Sequence, residues 1–198
     1  EWLGFPQIIG EVLMYITTFT FTVITTIYLV KFLKYKIAVK KEFTHPIRIN
    51  FFAAVSISML MLAIIYKEYN PTISAVFWYP GAALHFYLTM HTITFWINSN
   101  QELGHSNPAW FIPIVGNVLV PVAGVGFASS GVLMYFFSVG MFFWIILFSI
   151  ILNRIIFHHQ LAVKFMPTMF ILIAPPAVGF LAYFKLFGVL DFFAIFLS

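Results

Sequence analysis

The chain has 198 residues, of which 62% are apolar, 20% aromatic and only 8% charged, with a mean hydropathy of +1.00. A soluble domain carries about a quarter charged residues and a disordered chain needs low hydrophobicity with high charge, so both classes are excluded. The net charge of +4 comes from Lys and Arg gathered between apolar runs, which is no nucleic-acid signature, and the absence of cysteine removes disulfide and thiolate chemistry.

No Asp, Glu, Lys or Arg occurs over 12–30, 49–66, 69–101, 103–153 and 165–184. A helix needs roughly 20 apolar residues to cross the hydrocarbon core, so each run spans or nearly spans. The pattern predicts an all-α, polytopic membrane helical bundle forming a single transmembrane domain over 1–198. Span A covers 8–35; its charge-free run, 12–30, has no basic region before it and its positive charges after it, which is the wrong order for a signal peptide. A Lys-rich connection reaching Arg48 leads into span B at 46–66. Asn70-Pro71 opens span C, 71–98, with Pro at the first helical position, where its missing N–H is harmless. The run 103–153 would measure about 77 Å as one helix, so it must fold back. The predicted turn is Ala128-Ser129-Ser130-Gly131, dividing span D (108–127) from span E (131–156). Span F follows at 166–186, then an apolar stub after Gly188 that is too short to cross. This short stub and a start at Glu1 predict an internal piece of a larger protein. Eight Lys and Arg lie on the side of the A–B and E–F connections, while Lys67 and Lys185 lie on the other. The positive-inside bias places the first side in the cytoplasm and Glu1 outside.

The spans are of two kinds. D carries Pro113, Gly116, Asn117, Pro121 and Gly124; F carries Pro175, Pro176 and Gly179; B offers Ala53, Ser56 and Ser58. C and E are instead crowded with Phe, Tyr and Trp. An internal Pro frees backbone carbonyls, and such backbone is tolerated in a membrane only against protein or a wet cavity. B, D and F are therefore predicted to be inner helices and C and E lipid-facing ones. This makes tandem hairpins B–C, D–E and F–stub, repeating every roughly 60 residues like the internal symmetry of many transporters. The predicted lining of a central pore is Ala53, Ser56, Pro113, Asn117, Pro121, Gly124, Pro175 and Gly179, with Arg48 at its cytoplasmic mouth. The alternative for any single Gly or Ala is close helix packing.

The inner spans hold no Lys or Arg in their interiors, which argues against a coupled pump. Hydroxyl, amide and backbone dipoles remain, and their weak contacts suit passive passage. His85 and His91 are six residues apart in span C, on well-separated helix faces. That disfavours the reading from another class, a haem-binding electron-transfer subunit, and leaves His85 as a hydrogen-bonded structural residue. His45, His105, His158 and His159 sit near span ends. Neither GxxxxGK[ST], HExxH nor GxSxG occurs, so no enzyme activity, catalytic residue, metal ligand or cofactor is predicted.

Three segments carry a resemblance: Thr44-His45-Pro46-Ile47-Arg48-Ile49-Asn50-Phe51-Phe52-Ala53-Ala54, the stretch from Asn107-Pro108 through Pro113 and Gly116-Asn117 to Pro121-Val122-Ala123-Gly124, and Ala174-Pro175-Pro176. Together they resemble the tellurite-resistance and C4-dicarboxylate transporter family, which includes the slow anion channels of plant guard cells. The resemblance implies ten helices in five tandem hairpins, odd-numbered inner helices around a central pore, and assembly as a homotrimer in the lipid. Spans A to F then correspond to helices two to seven, with one helix missing before Glu1. It also implies a pore closed by a phenylalanine on the ninth helix, outside this sequence. Some bacterial relatives place a proline in helix three where this chain has Ser56. The expectation is a passive channel for small anions such as chloride and nitrate in a bacterial inner membrane. The alternative is a secondary carrier or exporter of C4-dicarboxylates, sulfite or tellurite-type oxyanions.

Overall fold

A computed structural model describes residues 7–158 and 163–198, which are nearly all helical. Glu1 and His159, both assigned places in the topology above, lie outside the described residues. Four described segments are long and apolar enough to cross a membrane: Gln7–Lys34, Arg48–Tyr69, Ser130–Phe157 and Met166–Phe187. The chain divides into two compact units, one ending at Phe43 and the other starting at Thr44.

In the first unit, α1 (Gln7–Lys34) returns the hydroxyls of Thr17, Thr18, Thr20, Thr22 and Thr26 to carbonyls four residues back, so they do not face hydrocarbon unpaired. The short α2 (Lys36–Phe43) folds back to place Glu42 2.9 Å from Lys31 Nζ, with Tyr28 OH donating to the same carboxylate.

The second unit starts with a 3₁₀ turn, Arg48–Phe52, whose first N–H groups, those of Ile47 and Arg48, are accepted by His45 Nδ1. It runs into α3 (Ala53–Tyr69). Asn70 then caps α4 (Pro71–Asn98) by accepting from the N–H of Thr72 and Ile73 at 3.0 and 3.1 Å, with Pro71 at the first helical position as the sequence predicts. α3 and α4 form a close hairpin, pinned by Ser74 Oγ donating to Ala63 O at 2.6 Å.

Span D is not one helix. It is a chain of short pieces: a 3₁₀ turn Pro108–Trp110, α5 (Phe111–Val115), a second 3₁₀ turn Gly116–Val118, and α6 (Leu119–Gly124). The interruptions fall near Pro113 and Pro121, which lack an N–H, and at Gly116, a poor helix former. This segment lies inside the unit, packed against α3 and α4 on one side and the two later helices on the other. The reversal after it comes earlier than predicted, over Val125–Ser129, because Gly126 takes φ +90°, a conformation Ala128 and Ser129 would resist. α7 (Ser130–Phe157) follows, apolar on every face, with Phe136, Phe137, Leu147 and Ile151 inward and Phe142 and Ile145 outward.

Span F also divides. A 3₁₀ stretch, Val163–Leu172, gives way to α8 (Ala174–Phe187), whose first turn contains Pro175 and Pro176. The two prolines thus mark a helix restart, because proline fits the first turn without loss of a bond. Gly188, at φ +67°, ends α8, and Asp191 caps α9 (Phe192–Leu197).

Candidate functional site

The broken segment Pro108–Gly124 exposes backbone carbonyls that a regular helix would bond, and α3, α4 and the segment's own Asn117 supply partners. Thr89 Oγ1 lies 2.6 Å from Pro113 O and 2.8 Å from His85 O. Asn117 Nδ2 donates to Ile114 O at 2.6 Å and to Thr89 Oγ1 at 2.9 Å. Farther along, Trp78 Nε1 donates to Val120 O, Lys67 Nζ to Ala123 O and Val125 O, and Tyr79 OH to Phe127 O. Ser56 Oγ, on α3, lies 2.8 Å from Ala53 O and 2.9 Å from His85 Nδ1. Ser56, His85, Thr89 and Asn117 are each no more than 1% exposed. They form a dry polar belt in which unsatisfied groups would each cost about 1–3 kcal/mol.

The other face of the same segment looks into a groove of about 190 Å³ between α3, the broken segment and α8. Its wall is Ile57 from α3; Phe111, Ile112, Val115, Gly116, Val118 and Leu119 from the broken segment; and Ile171, Ala174, Pro175 and Val178 from span F. These are the three spans predicted to be inner helices. The wall bears no charged side chain, so an ion there meets neither a trapping countercharge nor a repelling one.

The predicted lining distributes itself unevenly over these two environments. Pro175 lines the groove. Ser56 and Asn117 point their polar atoms into the belt, where Pro113 contributes its carbonyl. Ala53 and Pro121 are buried. Gly124 is a close-approach point, since a Cβ there would lie 2.5 Å from Leu133 Cδ2 and 2.9 Å from Trp78 Cζ2. Gly179 does the same for Met141, whose Sδ would be 2.9 Å away. Arg48 is exposed at the start of its 3₁₀ turn. Apart from Pro175, every residue of the groove wall was missed by sequence reasoning, and most, such as Ile57, Ile112, Leu119 and Val178, are ordinary aliphatics with no chemical signal. Gly116, one of the residues that set span D apart, also lies on this wall.

The whole chain, residues 1–198, matches the model of the voltage-dependent anion channel family. It is 29% identical to the S-type anion channel SLAH2 of Arabidopsis thaliana, over 96% of this chain and 37% of that protein. An uncharacterized transporter of Methanocaldococcus jannaschii is 28% identical over 92% of this chain and 57% of its own length. The tellurite resistance protein TehA homolog of Haemophilus influenzae is 25% identical over 89% of this chain and 54% of its own length. The chain therefore spans 37% to 57% of these relatives.

Proposed function

This chain belongs to the voltage-dependent anion channel family, and from that premise we propose that it contributes part of the wall of a passive conduit for small anions of the chloride and nitrate type. It is an integral, multi-pass membrane protein of a family of transporters, not of enzymes. The observation that carries the reading is the uncharged groove shared by α3, the broken segment and α8. An aliphatic wall favours anions that give up hydration water readily, and without a fixed cation it lets them leave again. Ile57, Ile112, Gly116, Leu119, Pro175 and Val178 form the wall in this proposal, and Arg48 draws anions to the cytoplasmic mouth. The polar belt holds the broken segment in shape behind it. Of the residues first assigned to the lining, Ser56, Pro113, Asn117 and Pro121 act in that support, Ala53, Gly124 and Gly179 in packing. The setting proposed is a bacterial inner membrane, with the intact protein assembled as a homotrimer.

The test is planar-bilayer recording from the intact purified protein. Chloride and nitrate currents in discrete steps, reversing with the anion gradient and indifferent to a proton gradient, are the expected result. Strict proton coupling overturns the proposal. Similarity to a tellurite resistance protein supports a second reading, a carrier of oxyanions. Saturating exchange without single-channel steps would select it.

A further inference from the structure

His85 reaches from α4 to the back of the groove. Ser56 Oγ has a single proton and two neighbours within reach, Ala53 O at 2.8 Å and His85 Nδ1 at 2.9 Å, and we assign the proton to the nearer, the carbonyl. The 2.9 Å contact between Ser56 Oγ and His85 Nδ1 is then a bond that the imidazole donates. A neutral imidazole with its proton on Nδ1 carries a bare lone pair on Nε2. That Nε2 has no hydrogen-bond partner, and the residue is 0% exposed.

The ring lies over Gly116, a groove residue. A Cβ at Gly116 would fall 2.8 Å from His85 Cε1, 2.9 Å from Nε2 and 2.8 Å from Ile57 Cδ1. Only a glycine lets the imidazole edge come this close to the wall, and Ile57, itself part of the wall, closes the remaining gap. Access from the groove to Nε2 requires the Ile57 side chain, half-buried and on the same wall, to move aside.

We propose that His85 is a selectivity-determining residue of the conduit, whose Nε2 accepts a hydrogen bond across Gly116 from anions that carry their own O–H. This rests on reading the groove as an anion path. An anion without a proton meets only a lone pair there and gains nothing. Nitrate and hydrogencarbonate make the matched pair: both planar, singly charged and of similar size, with a proton on the second alone.

The experiment measures the hydrogencarbonate-to-nitrate permeability ratio of the intact protein in planar bilayers at pH 8. His85→Asn keeps an amide N–H near the Nδ1 position to bond Ser56 and removes the far acceptor. His85→Gln places an amide oxygen near the Nε2 position and gives up the Ser56 bond. One hydrogen bond predicts that His85→Asn lowers the ratio about threefold to tenfold while His85→Gln stays near the parent value. An unchanged ratio in His85→Asn, or an equal fall in both variants, overturns the inference and leaves the channel reading standing. A parent protein that passes neither anion overturns both. If His85→Asn does not fold, the ¹⁵N resonance of His85 Nε2 in the parent protein decides: it shifts with hydrogencarbonate and not with nitrate, and equal behaviour with the two overturns the inference.

Discussion

The segment Pro108–Gly124 has two faces that solve opposite problems. Toward α3 and α4 its free carbonyls meet Thr89, Asn117, Trp78 and Lys67, and the belt is dry and closely bonded. Toward α8 it shows Ile112, Val115, Gly116 and Leu119 to a hollow. The irregular backbone leaves carbonyls open, and the neighbouring hairpin together with Asn117 bonds them. What the prolines mark in this protein is therefore a seam between helices, and the hollow lies on the face where the backbone needs nothing.

The sharpest way to break this contrast is Asn117→Leu. It takes a donor from Ile114 O and a partner from Thr89, and it inserts a branched side chain at a site 1% exposed. A loss of about 3 kcal/mol is expected from the stranded carbonyl and the overpacking together, read as a lowered unfolding midpoint in detergent. A loss no larger than that of an exposed substitution would show that the belt does not hold the segment.

Gly124→Ala tests the same face through packing alone. The new Cβ would meet Leu133 Cδ2 and the Trp78 ring, which is fixed by its bond to Val120 O. About 1–3 kcal/mol of destabilisation is expected. Ile112→Ala belongs to the opposite face. Ile112 is half-buried and already borders empty space, so stability should fall by less than about 2 kcal/mol. Unitary anion conductance should rise as the wall recedes. Reduced conductance with intact folding would remove Ile112 from the path.

Much of this arrangement is legible in the sequence, to different depths. Asn70-Pro71 marks the start of α4 because cap and proline chemistry are local, and its end at Asn98 agrees with the predicted span. The interior place of span D follows from Pro113 and Pro121, whose freed carbonyls exclude lipid. Its division into four pieces does not follow, since 3₁₀ turns depend on which carbonyls a neighbour can bond. That also explains why the predicted lining and the groove wall differ on this segment. An unbroken helix advances 100° per residue and puts 113, 117, 121 and 124 on one face; the 3₁₀ turn at Gly116–Val118 winds more tightly and alters that registration. The sequence marks Ser56 and Asn117 by their polarity, but which partner a polar atom in a membrane interior meets, here His85, Thr89 and backbone carbonyls, is set by helix packing. The structural, hydrogen-bonded histidine that the sequence predicts at position 85 describes its Nδ1. The approach of Nε2 to the groove depends on Gly116 lying opposite, a long-range fact that no local pattern encodes.

The smallest effect expected comes from outside the belt, where the same bond types meet water. Asp191 caps α9, accepting the Ala194 N–H at 3.0 Å and the Tyr183 hydroxyl at 2.6 Å. The Tyr183 bond first, then the backbone bond from Ala194, hold its carboxyl below the usual value of 3.8. A carboxyl depressed on folding stabilises the folded form above its unfolded pKa, and that contribution is lost as pH falls through the folded value. Acid should therefore loosen the cap of α9 only below the ordinary carboxylate range. The Ala194 amide proton shift, followed by NMR, should titrate with a midpoint under 3.8, and in Asp191→Asn the transition should vanish while the cap survives, since Asn also accepts at that position. A midpoint at or above the ordinary value would mean that Tyr183 and Ala194 do not favour the carboxylate. If Asp191→Asn instead unfolded the bundle as far as Asn117→Leu, exposed and buried hydrogen bonds would count equally here, and the contrast between belt and surface would fail.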